Sequence, residues 1–525
     1  MESVCGKLLT STIILPFAGP QYRRRQHGSW YYDCVISSRV LVMIFVSLVF
    51  GFTVTKSIPK HAEFRLGFVL SLLLVIMISA LSIFCIIGTK VRKYGLQSVV
   101  AARNDRNTRK LQVVFMWIFG LSSGLYCALF VGKLIECSVN FAGGIYWNIL
   151  LVFNITLILA IFSEMIFVSY FSPFELKQSS LVNYAMFLFL TCNLSVILYI
   201  YQMKDTRSYL IEVEGDIDLI SCLGNNSTMT LLLEKSLPFL RPAFVEYVFL
   251  SSTILLEIWS PKQEANPQDE SPTYIGINDV QESEQTSLLH GFNVIEHPAN
   301  RGRRTLVQIL SLAMSITTGL GLVVCYIVLV LDIGDGNVIL YIAQVYELTL
   351  KVMMALATFA GFYCLAHYCT PDSSPKGLKS REYLYLLSAF GLFLAHISIA
   401  IGADVTDDQN TKIILFTNAF SVFQDYLQVV FLLHANRFRK TDPRSNINLL
   451  ESVLIFTMIN NFIFWFTDSF FISEFSRTHL LHHSNFPQYL LNLVYSIFLP
   501  FSVFFRFTTF LEYYAIFGKF NSQEH

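Results

Sequence analysis

Charged residues are scarce in this sequence. Asp, Glu, Lys and Arg make up 14% of the 525 residues, whereas hydrophobic residues make up 54%. A soluble domain carries roughly 25% charged residues, so a chain of this length with so few charges could not cover a water-exposed surface. Several apolar runs exceed the roughly 20 residues that cross a bilayer, and residues 66–87 contain no charge at all. The composition therefore predicts a membrane protein.

Motifs of soluble enzymes are also lacking. The sequence has no Gly-rich phosphate-binding loop and no HExxH zinc motif, and its ten cysteines show no CxxC spacing. Most of these cysteines lie inside apolar runs, where cysteine packs as a small apolar residue. We therefore expect no enzyme, no cofactor and no nucleic-acid partner.

Apolar runs separated by polar breaks predict an all-α membrane protein with twelve transmembrane helices. One long polar stretch, 260–303, is rich in Pro, Gln, Glu, Asp and Ser, which is typical of a linker. The predicted parts are a segment 1–35, a six-helix half 36–259, the linker 260–303, a six-helix half 304–517 and a tail 518–525. The predicted spans are 36–56, 65–89, 111–136, 144–171, 178–202, 237–259, 304–332, 337–369, 381–403, 411–438, 447–474 and 485–517.

The loop charges predict how the helices are oriented. Lys and Arg are concentrated in the loops on the side of both termini, and loops of this kind are cytoplasmic. The predicted outer loop after the fifth span contains Asn-Asn-Ser-Thr, in which Asn225 and Asn226 each begin a glycosylation sequon. We therefore expect a glycoprotein of the cell membrane with cytoplasmic N- and C-termini.

A short repeat relates the two halves. Asn193 in the fifth span corresponds to Asn461 in the eleventh, and the next span in each half has a proline three residues before a valine, at Pro242 and Pro500. Because both halves begin on the cytoplasmic side, such a repeat must be parallel in topology.

Ionisable residues inside the apolar spans are the candidates for function. A charge in hydrocarbon costs several kcal/mol unless it faces protein or water. The residues of this kind are Glu164, Glu246, Glu347, Lys351, His396, Asp425, Asp468, Arg506 and Glu512.

Two of the acidic candidates allow two interpretations each. Glu347 and Lys351 lie four residues apart on one face of the eighth span and can form an intramembrane ion pair. The pair either neutralises two costly charges or takes a direct part in conduction. Glu246 has no partner in its own helix and lies near mid-membrane, where a carboxyl group favours its neutral form. That is what a proton pathway requires, and a structural role is equally compatible with it.

Arg506 keeps its charge and therefore needs an acidic partner or polar carbonyl groups nearby. Asp468 is close in sequence, but it lies toward the outer end of its span, whereas Arg506 lies toward the inner half. Asp425, near the middle of the tenth span, matches that depth better, and Gln424 and Gln428 extend a polar stripe on its helix. We expect Asp425 to be the partner of Arg506.

Three histidines lie together in the last predicted outer loop, at His479, His482 and His483. Histidine titrates near neutral pH and binds zinc. The cluster is therefore either a pH or zinc sensor or simply a solvated loop, and no permanent metal site is predicted.

Six short, mostly apolar segments carry a family pattern. They are CNL at 192–194, RPAFVEY at 241–247, REYLYLLSAFG at 381–391, FQDYLQVVFLLHANRFRK at 423–440, NFIFWFTDSF at 461–470 and PFSVFFRF at 500–507. In their order, spacing and depth, the chain resembles the otopetrins, a family of eukaryotic proton-selective channels, over nearly all of its membrane region.

The resemblance implies two six-helix barrel-like halves, a homodimer and cytoplasmic termini. It implies proton movement through the halves or between them, with extracellular acid as the trigger. Besides protons, the implied partners are membrane lipids, sterols among them. The residues that match the family's buried polar set are Asn193, Glu246, Gln424, Asp425, Asn461, Asp468 and Arg506.

Three positions depart from the family pattern. Members usually have a histidine after the Arg-Phe of the twelfth span and often one ahead of the fifth-span asparagine, where this chain has Thr508 and Leu188. An acidic residue at the outer end of the fifth span is replaced by Lys204. Two consequences stay open: the halves conduct differently, or one of them does not conduct at all.

The sequence therefore predicts a proton-selective channel that opens under extracellular acid and conducts protons into the cytoplasm. One alternative is a secondary transporter, since such proteins also have paired six-helix halves and Pro242 and Pro500 can interrupt helices. The other is a non-conducting membrane scaffold, since two family histidines are replaced.

Overall fold

The structure is a computed structural model that describes eleven stretches of the chain. The first predicted span, 36–56, and the predicted linker, 260–303, lie outside the described residues. The described stretches are residues 62–103, 108–138, 145–176, 180–202, 228–259, 306–331, 336–371, 380–403, 409–440, 448–472 and 488–522.

Five long helices make up the described part of the N-terminal half. Each coincides with one of the predicted spans two to six, although α5 begins earlier than the predicted start at 237. The helices are α1 (Ala62–Tyr94), α2 (Arg109–Ser138), α3 (Ile145–Phe171), α4 (Ser180–Gln202) and α5 (Thr228–Ile258).

Six long helices make up the described part of the C-terminal half, and they coincide with predicted spans seven to twelve. The last of them continues past the predicted end at 517. They are α6 (Leu306–Val330), α7 (Gly336–Tyr368), α8 (Ser380–Ala403), α9 (Gln409–Ala435), α10 (Asn448–Thr467), which passes into a π-helical turn (Asp468–Ile472), and α11 (Gln488–Ser522).

Several helices extend beyond the apolar segment that would cross the membrane. A helix of 33 residues, such as α1 or α7, is about 50 Å long, whereas the hydrocarbon core is about 30 Å thick. Eight of the described helices are long and apolar enough to cross a membrane, and α8 adds a shorter apolar stretch, Tyr385–Ala400. The chain is therefore an all-α multi-pass membrane protein.

The two halves share one packing scheme. In the N-terminal half, α1 packs on α3 and α4, α2 packs on α3 and α5, and α4 packs on α5. In the C-terminal half, α7 packs on α9 and α10, α8 packs on α9 and α11, and α10 packs on α11. Helix α6 lies against both α7 and α10. The five helices α1 to α5 thus correspond in order to α7 to α11, which is a parallel repeat.

Equal helix lengths or shared residues set the register of four of the five helix pairs. Helices α1 and α7 both have 33 residues, and α3 and α9 both have 27. Asn193 and Asn461 lie at the same distance from the first residues of α4 and α10. Pro242 and Pro500 align α5 with α11. Residues of these four helix pairs can therefore be compared position by position.

Two short antiparallel sheets repeat as well. Strand β1 (Val100–Arg103), after α1, pairs with β2 (Phe174–Leu176), after α3. Strand β3 (Cys369–Pro371), after α7, pairs with β4 (Phe438–Lys440), after α9. We call the end of the bundle that carries these strands the sheet end; by the loop charges it is the predicted cytoplasmic side.

Basic side chains tie the helices together at the sheet end. Arg109, at the start of α2, donates to the carbonyl oxygen of Ser172 and lies 3.4 Å from a carboxylate oxygen of Glu257. Lys519, near the end of α11, donates 2.8 Å hydrogen bonds to the carbonyl oxygens of Asn436 and Phe438. This contact accounts for the continuation of α11 beyond 517.

The halves meet along one face of α5. This helix packs against α11, α8 and the π-helical turn. The rings of Phe249 and Phe504 stack with centroids 4.7 Å apart. The apolar core of the N-terminal half also takes in Trp465, Val503 and Phe507 of the other half. The apolar core of the N-terminal half therefore extends across the joint into the C-terminal half.

Candidate functional site

A group of hydrogen-bonded polar side chains lies between helices α3, α4 and α5 of the N-terminal half. Asn193 on α4 donates to Oε1 of Glu164 on α3 at 2.6 Å, and also approaches the hydroxyl oxygens of Ser251 at 3.0 Å and Ser252 at 3.4 Å. Tyr247 on α5 donates to Oε2 of Glu164 at 3.1 Å. We call these five residues the N-half cluster. All five are buried.

Helix geometry explains how three helices build this cluster. Tyr247 and Ser251 are four residues apart and therefore lie on one face of α5. Ser251 donates in turn to the carbonyl oxygen of Val248 at 3.1 Å, so its hydroxyl group is hydrogen-bonded to the backbone of its own helix. The bonding partners of Glu164 are thus amide and hydroxyl groups. Among the described residues, no ion pair joins its carboxyl group to a basic side chain.

Sequence reasoning placed only one member of this cluster, Asn193, in the pathway. Glu164 was one of the intramembrane ionisable residues, but its partners depend on the packing of three helices. Helices α3 and α9 both have 27 residues, and this equal length aligns Glu164 with Gln428. Asn193 and Asn461 are aligned in the same way.

Glu246 does not belong to the N-half cluster, although Tyr247 follows it directly. Consecutive helical residues point about 100° apart, and Glu246 faces the other half of the protein. Its Oε1 accepts a 2.8 Å hydrogen bond from Nε1 of Trp465 on α10, and its Oε2 has no hydrogen-bond partner among the described residues. The rings of Phe119 and Phe507 pack on Trp465 at 5.7 Å and 5.3 Å. This carboxyl group therefore lies at the joint between the halves.

The C-terminal half holds an ion pair at its centre. Both terminal nitrogens of Arg506 donate to the carboxylate of Asp425, at 2.5 Å and 3.0 Å. Asp425 also lies 3.6 Å from Nε2 of His396, whose Nδ1 contacts Oδ1 of Asn418 at 2.8 Å. The structure thus pairs Arg506 with Asp425 rather than with Asp468. The bidentate geometry fixes both side chains.

A second ion pair lies on α7. Lys351 contacts Oε1 of Glu347 at 2.5 Å and the hydroxyl oxygen of Ser421 at 2.5 Å. Tyr326 donates to the other oxygen of Glu347 at 2.7 Å. The ammonium group of Lys351 also lies 5.6 Å from the ring centroid of Phe464. Both charges are therefore held by fixed neighbours.

The other predicted residues of the C-terminal half lie on α9, α10 and the π-helical turn. Asp468 begins the π-helical turn, and its carboxyl group is close enough to Arg506 and Lys351 to interact with their charges. Gln424 and Gln428 are fully buried, and their amide groups have no hydrogen-bond partner among the described residues. Asn461 donates to a carbonyl of its own helix.

Several predicted positions cannot be placed. Asn225, Asn226 and the loop histidines His479, His482 and His483 lie outside the described residues. Within the described stretches, no group of three or more His, Cys, Asp or Glu residues lies close enough together to hold a metal ion.

A small cavity lies between the two halves on the side of the sheet end. Its volume of about 10 Å³ is room for about one water molecule. Polar atoms reach it from both halves. The polar residues that line it are Gln112, Thr253, Tyr385, Thr508 and Glu512.

A comparison with known families matches the otopetrin sequence profile to residues 204–507, which is more than half of the chain. The chain belongs to the otopetrin family. Otopetrins are a channel family rather than an enzyme family. No curated protein matches the sequence significantly.

The family match covers only some of the polar residues described above. Glu246, Asp425 and Arg506 fall within it, whereas Glu164 and Asn193 precede its first residue. In this otopetrin, the N-half cluster therefore combines residues on both sides of the start of the family match.

Proposed function

We propose that this otopetrin is a proton-selective channel of the cell membrane with both termini in the cytoplasm, which opens when the outside is acidic and conducts protons inward. The observation that carries the proposal is the N-half cluster. There a buried carboxyl group is held by a phenol and an amide, and the amide also contacts a serine hydroxyl. Carboxyl and hydroxyl groups can accept and release protons along a hydrogen-bonded chain, and the amide orients them.

Selectivity for protons follows from the physical demands of the pathway. A metal cation needs a water-filled pore or a ring of ligands that replaces its hydration shell. A proton needs only a hydrogen-bonded chain of side chains and water. The N-half cluster offers such groups inside a ring of mostly apolar helices. A narrow polar pathway of this kind favours protons over larger ions.

Whole-cell patch clamp tests the proposal directly. Cells that express the chain should show an inward current when the external solution is acidified. The reversal potential of that current should follow the proton gradient when internal and external pH are varied, and replacement of sodium by a large organic cation should not change it. Absence of an acid-evoked current with the protein at the cell surface would contradict the proposal.

Glu246 is proposed to take part in gating, because it links the two halves. In Glu246→Gln the amide oxygen can still accept from Trp465, but the side chain can no longer ionise. We expect the external pH at which the current appears to shift, while the maximal current and the surface level are retained. A pH dependence identical to that of the wild type would contradict this role. A scaffold would carry no current in either protein.

The transporter alternative is less well supported by the geometry. Transporters of this kind bind their substrate where a helix is interrupted near mid-membrane. Here Pro242 and Pro500 both lie within continuous helices, α5 and α11. A transporter would also show saturable uptake of a small solute, which radiolabelled flux would detect.

We also propose that the protein forms a homodimer in contact with lipids, sterols among them. The family resemblance supports this assembly, and large apolar side chains along α1 and α2, such as Val75 and Leu125, are exposed in the single chain. Native mass spectrometry of protein released from detergent would show the number of chains and any retained lipid.

A further inference from the structure

The two halves of the protein have the same helix packing but different chemistry at their centres. The register fixed by the helix lengths and the aligned prolines gives the counterparts of the N-half cluster. Glu164 corresponds to Gln428, and Asn193 corresponds to Asn461. Tyr247, five residues after Pro242, corresponds to Phe505. At these counterpart positions the C-terminal half lacks both the carboxyl group and the phenol, although elsewhere in that half Tyr326 donates to Glu347.

The charges of the C-terminal half differ in the same systematic way. Asp425 and Arg506 correspond to Ile161 and Val248, which are apolar. Glu347 and Lys351 likewise correspond to Leu73 and Met77. At all four positions, the N-terminal half has an apolar side chain where the C-terminal half has a buried charge.

The carboxyl group of the N-terminal half can accept a proton, whereas the buried cations of the C-terminal half repel one. Arg506 and Lys351 are almost completely buried, at 1% and 2% exposure, and each is held by a carboxylate. A buried fixed cation repels a proton, and an arginine in a narrow pore excludes protons in this way. Asp425 is engaged by both terminal nitrogens of Arg506, and Glu347 is engaged by Lys351 and Tyr326, whereas Asp468 lies near both cations.

Resting on the function proposed above, we infer that protons cross this protein through its N-terminal half alone, with Glu164 as the residue that carries them, while the C-terminal half is closed by its ion pairs. Each chain then holds one proton pathway, although its fold repeats twice. In this arrangement the C-terminal half serves as the structural partner against which α5 packs.

The test compares counterpart positions in the two halves. Glu164→Gln keeps the size and hydrogen-bonding capacity of the side chain but removes its exchangeable carboxyl proton, and gives α3 the residue that α9 has at Gln428. The acid-evoked current of this variant should fall by at least about tenfold. The matched control is Gln428→Leu, which removes a buried amide that has no hydrogen-bond partner among the described residues and should leave the current unchanged.

A second variant in the same cluster, measured with its surface level, distinguishes loss of conduction from misfolding. Tyr247→Phe gives α5 the residue that α11 has at Phe505 and removes the hydroxyl that donates to Glu164. Its current should fall as well, at a surface level matched to wild type by biotinylation. All currents are divided by surface level, so a variant that merely folds less well is not counted as a loss.

The outcomes separate the inference from the function on which it rests. Loss of current in Glu164→Gln and Tyr247→Phe with retention in Gln428→Leu supports the inference. Loss in Gln428→Leu overturns it, because the C-terminal half then takes part. Retention in all three variants also overturns it and points to a route between the halves. If the wild-type chain carries no acid-evoked current, the proposed function fails.

Discussion

Individual buried charges are the most constrained residues of this protein. A charge removed from water needs a partner with good geometry, and loss of one partner strands the other. Arg506 cannot lose its proton, so the folded protein depends on Asp425 to balance this buried charge. The N-terminal half shows the alternative solution, because Ile161 and Val248 fill the corresponding positions without any charge.

The ion pair of the C-terminal half yields a prediction about stability. Asp425→Asn removes the carboxylate that both terminal nitrogens of Arg506 bind and should destabilise the protein by about 3–5 kcal/mol. The double variant Asp425→Ile with Arg506→Val copies the N-terminal half and should recover most of that loss. The thermal midpoint of purified protein in detergent measures both. A double variant as unstable as Asp425→Asn would show that the pair is needed for more than mutual neutralisation.

Some glycines set the distance between two packed helices, because no larger residue fits at their positions. A Cβ at Gly391 on α8 would lie 2.5 Å from Cβ of Phe501 on α11. The Cβ of Phe501 is fixed by its backbone, so rotation of the side chain cannot relieve the contact. At Gly88 on α1, by contrast, a Cβ would meet nothing within 4 Å.

These two glycines form a matched pair for a test of helix packing. Gly391→Ala must push α8 and α11 apart and should lower stability by about 1–3 kcal/mol, the usual cost of overpacking. Gly88→Ala should be neutral or slightly stabilising, because alanine favours the helix by up to about 1 kcal/mol. Thermal unfolding followed by size-exclusion chromatography compares the two. Equal midpoints would show that α8 can move without cost.

Helices were predictable from the sequence, whereas the directions of their side chains were not. Hydropathy located the eleven helices α1 to α11, and eight of them are long and apolar enough to cross a membrane. Depth alone pointed to Asp425 as the partner of Arg506. Depth does not distinguish the two faces of a helix, however. Glu246 and Tyr247 are neighbours in sequence, yet one faces Trp465 across the joint and the other faces Glu164 inside the N-terminal half.

At the scale of the whole molecule, the joint between halves is a packed protein core. Association of helices within lipid depends on close packing more than on the hydrophobic effect. The stacked rings of Phe249 and Phe504, the bond from Trp465 to Glu246 and the shared apolar core supply that packing. The joint should therefore hold without a covalent connection between the halves.

A divided chain tests this expectation. Two fragments cut between Val280 and Gln281, inside the predicted linker, should co-purify when they are expressed together. Phe249→Ala combined with Phe504→Ala should reduce the recovered complex, because both rings of the stack are lost. If the intact fragments fail to co-purify although both reach the membrane, the linker rather than the core holds the halves together.

The repeated packing scheme also has a consequence for the ancestry of the protein. A shared packing scheme and paired sheets are what a tandem duplication leaves behind. A chain of half this length would have built the same structure as two identical subunits related by an axis along the membrane normal, and such subunits must carry the same residue at every position. In a fused chain that constraint is absent, so counterparts such as Glu164 and Gln428, or Val248 and Arg506, are free to differ.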